Sequence, residues 1–504
     1  MDSIPDPKVS LFRRSSVALT ILVLGLFALV CKRIYAYLTH PLRHVPGPSV
    51  AGWTNIIHSY YFLSGRQPYS LLSLHEKYGP VVRIAPNEIS FSSANSWKDI
   101  YGFRTGHRPF IKSPFYDGGS FADQAHSIVS ERDPAEHGVM RKYLSHAFSD
   151  KSLKEQEYLI AERVDLFIEQ VGQFGAKEGG IDFVKWFNLL TFDIIGSLAF
   201  GEPFGGLETA KFHPWINLVS KALRQGALAD TFQRFPVFAR IFKFLMPSAI
   251  NALIKDTRTH ESYTMALVEK RLQKSNNRPD FLNRMIENRE MYNISEVQIA
   301  AHSSDFVTAG SETTATTLAC VVYYLTKDPS VFSKLQNEIR GAFRRFDDIN
   351  AKSTQSLKYL NAVCLEGMRI YAPLPFPLPR VVPVGGDTVD GWYLPAGTIV
   401  STNPTAASLS HANFSSPWEF KPERWLGQAG KDTLDASQPF SLGARGCLGR
   451  NLAWIELNTV LAKLLWKHDL ELVNQDVDWQ RDSRMHTLWK KPELMVRVRT
   501  RKDE

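Results

Sequence analysis

One cysteine constrains this chain more than any other residue. Cys447 lies in the stretch Phe440-Ser441-Leu442-Gly443-Ala444-Arg445-Gly446-Cys447-Leu448-Gly449-Arg450, a glycine-punctuated turn that runs straight into the apolar helical pattern Asn451-Leu452-Ala453-Trp454-Ile455-Glu456-Leu457. Gly443 and Gly449, before and after the cysteine, permit the tight backbone that a metal-bound thiolate needs, and a helix starting there points its positive end toward the sulfur. Backbone N–H groups in such a turn can hydrogen-bond the sulfur and set a metal's redox potential, while Phe440 excludes water from that side. The plainer alternative is a buried cysteine in a glycine-rich turn.

The other cysteines, Cys31, Cys320 and Cys364, stand singly in apolar surroundings with no CxxC pair and no neighbouring histidine cluster, which argues against a disulfide framework or a zinc site. They read as small buried hydrophobes. The net charge of +8 comes from 59 basic and 51 acidic residues without a block of like charge, so a nucleic-acid tail is excluded and a mildly basic surface suited to a membrane or an acidic protein remains. Neither a GxGxxG nor a GxxxxGK[ST] loop occurs, so reducing equivalents must come from a separate protein.

Ser15 to Cys31 carries no charge and is bracketed by Arg13-Arg14 and Lys32-Arg33. As a helix it spans roughly 25 Å at about 1.5 Å per residue, and Ile34 to Leu38 can extend it. The expectation is a tail over 1–14, a transmembrane anchor over 15–38, a proline-rich hinge over 39–50 and a catalytic body over 51–504. A cleaved signal and a short core helix are the rivals; no small-residue cleavage site follows the apolar run. Basic residues flank both ends, so charge does not fix orientation. Beyond the hinge, long stretches of helical spacing are interrupted by β-like runs at Val81–Phe91, Thr398–Val400 and Leu494–Val498, which predicts a mainly α fold with small β-sheets (α+β).

Four further motifs accompany the cysteine turn. Glu366-Gly367-Met368-Arg369 puts opposite charges on one helix face, a weak signal alone. Phe420-Lys421-Pro422-Glu423-Arg424-Trp425 follows downstream, Ala309-Gly310-Ser311-Glu312-Thr313-Thr314 sits within a long helical stretch, and His137-Gly138-Val139-Met140-Arg141 lies earlier. Each alone could be a solvated helix turn. Together with FxxGxRxCxG they resemble the cytochrome P450 family, from His40 nearly to the end of the chain.

The resemblance implies a heme b whose iron takes Cys447 as axial ligand. Arg445, Arg141, His137 and the Arg380 of Leu378-Pro379-Arg380 would serve the heme propionates, His137 standing where many members carry tryptophan. Glu366, Arg369 and Arg424 would form a structural triad behind the heme, without a catalytic role. Gly310 would leave room for dioxygen. The Thr313 hydroxyl can bond a carbonyl one turn back and open the helix to water, and Glu312 with Thr313 would pass protons for O–O cleavage.

By the same resemblance, Phe115, Tyr116, Phe121, Phe306, Leu374, Phe376 and Leu488 line an apolar pocket for a lipophilic small molecule. The apolar, aromatic run Phe235–Met246 suits a bilayer surface, core packing being its rival. The implied partners are an NADPH-dependent cytochrome P450 reductase, with cytochrome b5 as a further donor, and a lipid bilayer, with no nucleic acid. The implied setting is a single-pass protein of the endoplasmic reticulum, its body in the cytosol, where the sequons at Asn293 and Asn413 would go unused. HxxxR, AGSETT and GARGCLGRNLA are similar to fungal secondary-metabolism members, which points to a terpenoid, polyketide or alkaloid intermediate. Two rivals stay open: a heme-thiolate isomerase or dehydratase that needs no reductase, and a non-enzymatic heme gas sensor.

Overall fold

The longest helix of the body, Glu296–Lys327, organises the molecule. Ser295 caps its start by accepting from the Gln298 N–H, and it ends at Asp328, whose carboxylate accepts from the N–H groups of Ser330 and Val331 to start the next helix at Pro329. This is a computed structural model that describes residues 7–273 and 280–501. The central helix packs along Phe183–Ala199, which is buried from Trp186 to its end. The cysteine helix, Arg450–Lys467, and the helix Lys358–Ile370 complete the core. Each fully buried leucine- or valine-sized side chain contributes about 1.5–3 kcal/mol to this packing. Cys320 and Cys364 are buried there as small hydrophobes, but Cys31 is exposed, because the amino-terminal helix that carries it projects its residues away from the body.

Among the described residues, four small sheets accompany the helices. The five-stranded one runs Val81–Ala85, Glu88–Phe91, Ile399–Thr402, Arg380–Val381, Ile111–Lys112; all its pairings are antiparallel except that between Glu88–Phe91 and Ile399–Thr402. Its edge register sets Lys112 opposite Arg380. The hinge is not a free spacer. Leu42 and Val45 are buried in the core of this sheet, and the Arg83 N–H donates to Pro46 O at 2.7 Å.

The amino-terminal helix runs Pro7–Leu38, so it takes in residues expected in a tail; 1–6 lie outside the described residues. Among the described residues no single helix is long and apolar enough to cross a membrane, and Pro236–Leu245 with Pro247–Gln273 reaches that threshold only as a pair bent by 101°. The Asn413 amide donates to the carbonyls of Ser92 and Ala407, so its nitrogen is spent inside the fold.

Glu456, on the cysteine helix, is buried with its Oε2 atom unpartnered, and burial pushes its carboxyl up to about 8 from 4.5, against a smaller lowering by the Thr314 hydroxyl. A folded-state value above the unfolded one stabilises the fold at low pH, and that stability is lost as pH rises from about 4.5 through about 8. Glu456→Gln is therefore expected to raise the denaturation midpoint at pH 8 and to flatten its decline between pH 5 and 8. Parallel pH profiles for the two proteins would contradict the assignment.

Candidate active site

The cysteine turn is held by its own backbone. The Cys447 N–H donates to Phe440 O at 2.8 Å and the Gly446 N–H to Gly443 O at 3.0 Å. Gly443 has φ +69°, and a Cβ there would lie 2.1 Å from Tyr101 O, so only glycine fits. The helix then starts at Arg450 with no side-chain cap on Gly449, which leaves its first N–H groups near the sulfur; that of Gly449 hydrogen-bonds the thiol. Cys447 is accessible on one side while protein surrounds it on the others. Burial pushes its thiol up, and the Gly449 N–H with Arg141 and Arg450 pulls it back down. Phe440 is half-buried, with the Arg450 guanidinium over its ring at 5.6 Å.

Arg141 serves this turn directly, because its Nη1 donates to Gly446 O at 2.7 Å. The other predicted cations gather around a residue that sequence reasoning missed. Lys112, buried on the sheet edge, donates its ammonium to the carbonyls of Ile128 and Val129. Beside it are Arg380, its strand partner, and Arg445, whose guanidinium donates to the carbonyls of Glu131 and Arg132. The signal for Lys112 was a lysine within the hydrophobic run Phe110-Ile111-Lys112, but only strand pairing brings it to Arg380.

Burial and then the repulsion of Arg445 and Arg380 lower the Lys112 ammonium to about 6. Burial and Arg380 lower Arg445 to about 10, and burial with Arg445, Lys112, Arg141 and Arg380 lowers His137 to about 3. Glu131, Asp133 and Asp305 offset this only in part. Such a group of cations fits a ligand that brings two carboxylates, and an accessible cysteine with a helix start behind it fits that ligand's iron, so the donor set matches heme b.

The central helix carries the opposite part of the site. The Thr313 hydroxyl donates to Ala309 O at 2.6 Å, as its spacing predicts, yet the helix continues unbroken through both residues. The expected local opening is absent because the carbonyl has a second lone pair for the added bond. At Gly310 a Cβ would meet Ile195 Cδ1 at 3.1 Å, so the missing side chain gives close packing to the neighbouring helix, and Ala309 is the exposed position on this turn. Glu312 is paired with Lys491 at 2.8 Å.

Glu366 accepts from Arg369 Nε and Nη2 at 2.8 and 2.7 Å, from Arg424 Nε at 3.0 Å, from Trp425 Nε1 at 2.9 Å and from the Lys421 N–H at 2.9 Å. Arg369 also donates to the carbonyls of Ser408, Pro417 and Glu419, and Arg424 pairs with Asp432. All three predicted members are brought together and buried.

The expected pocket residues separate. Phe115 stacks on Phe376, with ring centroids 4.6 Å apart, and Phe376 on Phe62 at 5.5 Å. Tyr116 lies by Arg380 and Lys112, and Phe306 packs against Phe148 and Phe281.

The chain shares its fold with the crystal structure of the cytochrome P450DA heme domain, with a TM-score of 0.76, covering 91% of this chain and 98% of that one at 18% identity. Residues 46–498 match the family described as Cytochrome P450. The chain is 58% identical to the cytochrome P450 monooxygenase ORF11 of Penicillium roqueforti, over 95% of this chain and 100% of that one. It is 43% identical to the cytochrome P450 monooxygenase BipB of Cochliobolus sativus, over 92% and 94%. The chain belongs to the cytochrome P450 family, and it is a heme-thiolate monooxygenase that uses heme b with electrons from NADPH passed by a reductase.

Proposed function

We propose that this chain oxidises a lipophilic small molecule, a terpenoid, polyketide or alkaloid intermediate of fungal secondary metabolism, by the balance RH + O2 + NADPH + H+ giving ROH + H2O + NADP+. The observation that carries the reading is the pairing of an accessible cysteine at a helix start with a buried group of cations. Heme b, when bound, supplies the activation of dioxygen. Cys447 would hold the iron through its sulfur, the Gly449 N–H with Arg141 and Arg450 offsetting in part the burial that disfavours its thiolate. Arg445 and Arg380 would neutralise the propionates, His137 and Lys112 would donate hydrogen bonds to them, and Arg141 would brace the turn. Phe440 would keep water from the sulfur. Glu312 and Thr313 would relay protons beside Ala309, where the helix offers no bulky side chain. Glu366, Arg369 and Arg424 hold the surrounding fold and do not touch the reaction.

The same proposal places the body, residues 51–504, on a membrane behind an anchor over 15–38, facing the cytosol at the endoplasmic reticulum. Exposed Ile21, Leu24 and Phe27 on the amino-terminal helix support this, as do Val237, Phe238, Ile241, Phe244 and Leu245, the largest of them 84% exposed. The last five support the bilayer reading of Pro236–Leu245 over core packing, since that helix buries no residue. An NADPH-dependent cytochrome P450 reductase, with cytochrome b5 as a further donor, is the proposed electron source.

The test of the relay is Thr313→Ala, reconstituted with that reductase. Heme content and the reduced carbon-monoxide spectrum are expected to stay as in the wild type, while hydrogen peroxide released per NADPH consumed rises several-fold. An unchanged peroxide yield would contradict the role of Thr313.

A further inference from the structure

Lysine side chains are almost never fully buried unless they are paired, and the side chain of Lys491 is 3% exposed. Its ammonium donates to Glu312 Oε2 at 2.8 Å and to Thr316 Oγ1 at 2.8 Å. These two acceptors are one turn apart on the central helix, and Glu312 directly precedes Thr313 there, about 100° away around the axis. The lysine therefore reaches the carboxylate from outside the helix and fixes it toward Thr316.

The chain segment that delivers Lys491 is itself braced. It follows a hairpin of Arg484–His486 and Leu488–Lys490, turned by Thr487 at φ +69°. Trp489 in that hairpin stacks on Tyr371, centroids 4.5 Å apart, and its Nε1 donates to Ala372 O at 2.8 Å. At the other strand the Met485 N–H donates to Gly65 O at 2.8 Å. A flexible ammonium on a fixed backbone, with two acceptors, has few orientations left.

We propose that Lys491 is a positioning residue for oxygen chemistry: by its two hydrogen bonds it holds the Glu312 carboxylate in one orientation beside Thr313, and this governs how electrons divide between hydrogen peroxide and water. It rests on the monooxygenase reading above and adds to it the residue that steers the acid. The lysine does not contact the reacting atoms. Its loss lets the carboxylate swing on its own rotamers, and small misplacements of a proton donor have large rate effects.

The test uses the heme-loaded full chain, the reductase, NADPH and dioxygen, with no organic substrate needed. One NADPH and one proton per O2 yield H2O2; two NADPH and two protons per O2 yield two H2O. Lys491→Met is expected to raise the peroxide released per NADPH at least threefold, and Lys491→Arg to recover most of the wild-type ratio. In thermal unfolding of the same preparations, the loss of Tm in the Lys491→Met, Glu312→Gln double variant is expected to be smaller than the sum of the single losses. Additive losses would show that no pair forms and overturn the proposal. Coupled losses with an unchanged peroxide ratio would make the pair merely structural and overturn it equally. Thr313→Ala measured alongside separates the two readings: an effect of Lys491→Met without one of Thr313→Ala removes the threonine and leaves the lysine's role standing.

Discussion

Cys447→Ala is expected to abolish the thiolate-type shift of the reduced, carbon-monoxide-bound absorption band and to end NADPH-dependent oxidation. The effect is the largest anticipated for any single side chain, because nothing nearby can replace the sulfur: among the described residues no group of three or more histidine, cysteine or acidic side chains could hold a metal, and Cys320 and Cys364 are buried elsewhere in the core. The alanine fits the turn, whose shape rests on backbone bonds from Cys447 N–H and Gly446 N–H and on the conformation of Gly443. The variant should therefore fold, and the loss should be of chemistry. A variant that keeps the shifted band would overturn the ligand assignment.

Glu366→Ala is expected to cost about 3–5 kcal/mol of stability. That is a large share of the roughly 5–15 kcal/mol that holds a typical domain together. Removing this carboxylate strips the buried Arg369 and Arg424 of the charge they share and takes the acceptor from the half-buried Trp425 indole and from the Lys421 N–H. Breaking one partner of a buried pair is costlier than never having had the pair, since the orphaned guanidinium cannot reach water. Thermal unfolding and the yield of heme-containing protein check this; a midpoint within a degree or two of wild type would show that the backbone carbonyls around Arg369 suffice.

Those two expectations draw on features that were legible in the sequence because they are local. The cysteine turn is contiguous, and Glu366 and Arg369 share a helix face by spacing alone. The Thr313 bond to Ala309 follows from helical geometry in the same way. What escaped were contacts made by chain segments far apart. Lys112 meets Arg380 only because two short strands pair, and Lys491 reaches Glu312 only because a hairpin near the end of the chain packs on the central helix. Two further contacts were likewise not readable from spacing: Phe306 packs on Phe148 and Phe281, and Gly310 lies against Ile195 of the neighbouring helix. Proline content predicted an irregular segment at 39–50, but not that Leu42 and Val45 would be buried under the sheet. Composition marks where a helix cannot form and says little about what the chain then touches.

The proposed reaction places one oxygen atom from dioxygen on a lipophilic compound. The most direct measurement compares metabolites by mass spectrometry from a fungal host grown under 18O2 with the wild-type chain and with Cys447→Ala. The expected result is a product that carries one 18O at a new position and disappears in the variant, while a compound lacking that oxygen atom accumulates. Identical metabolite profiles in cells that contain both proteins, or a lost product without the label, would contradict it.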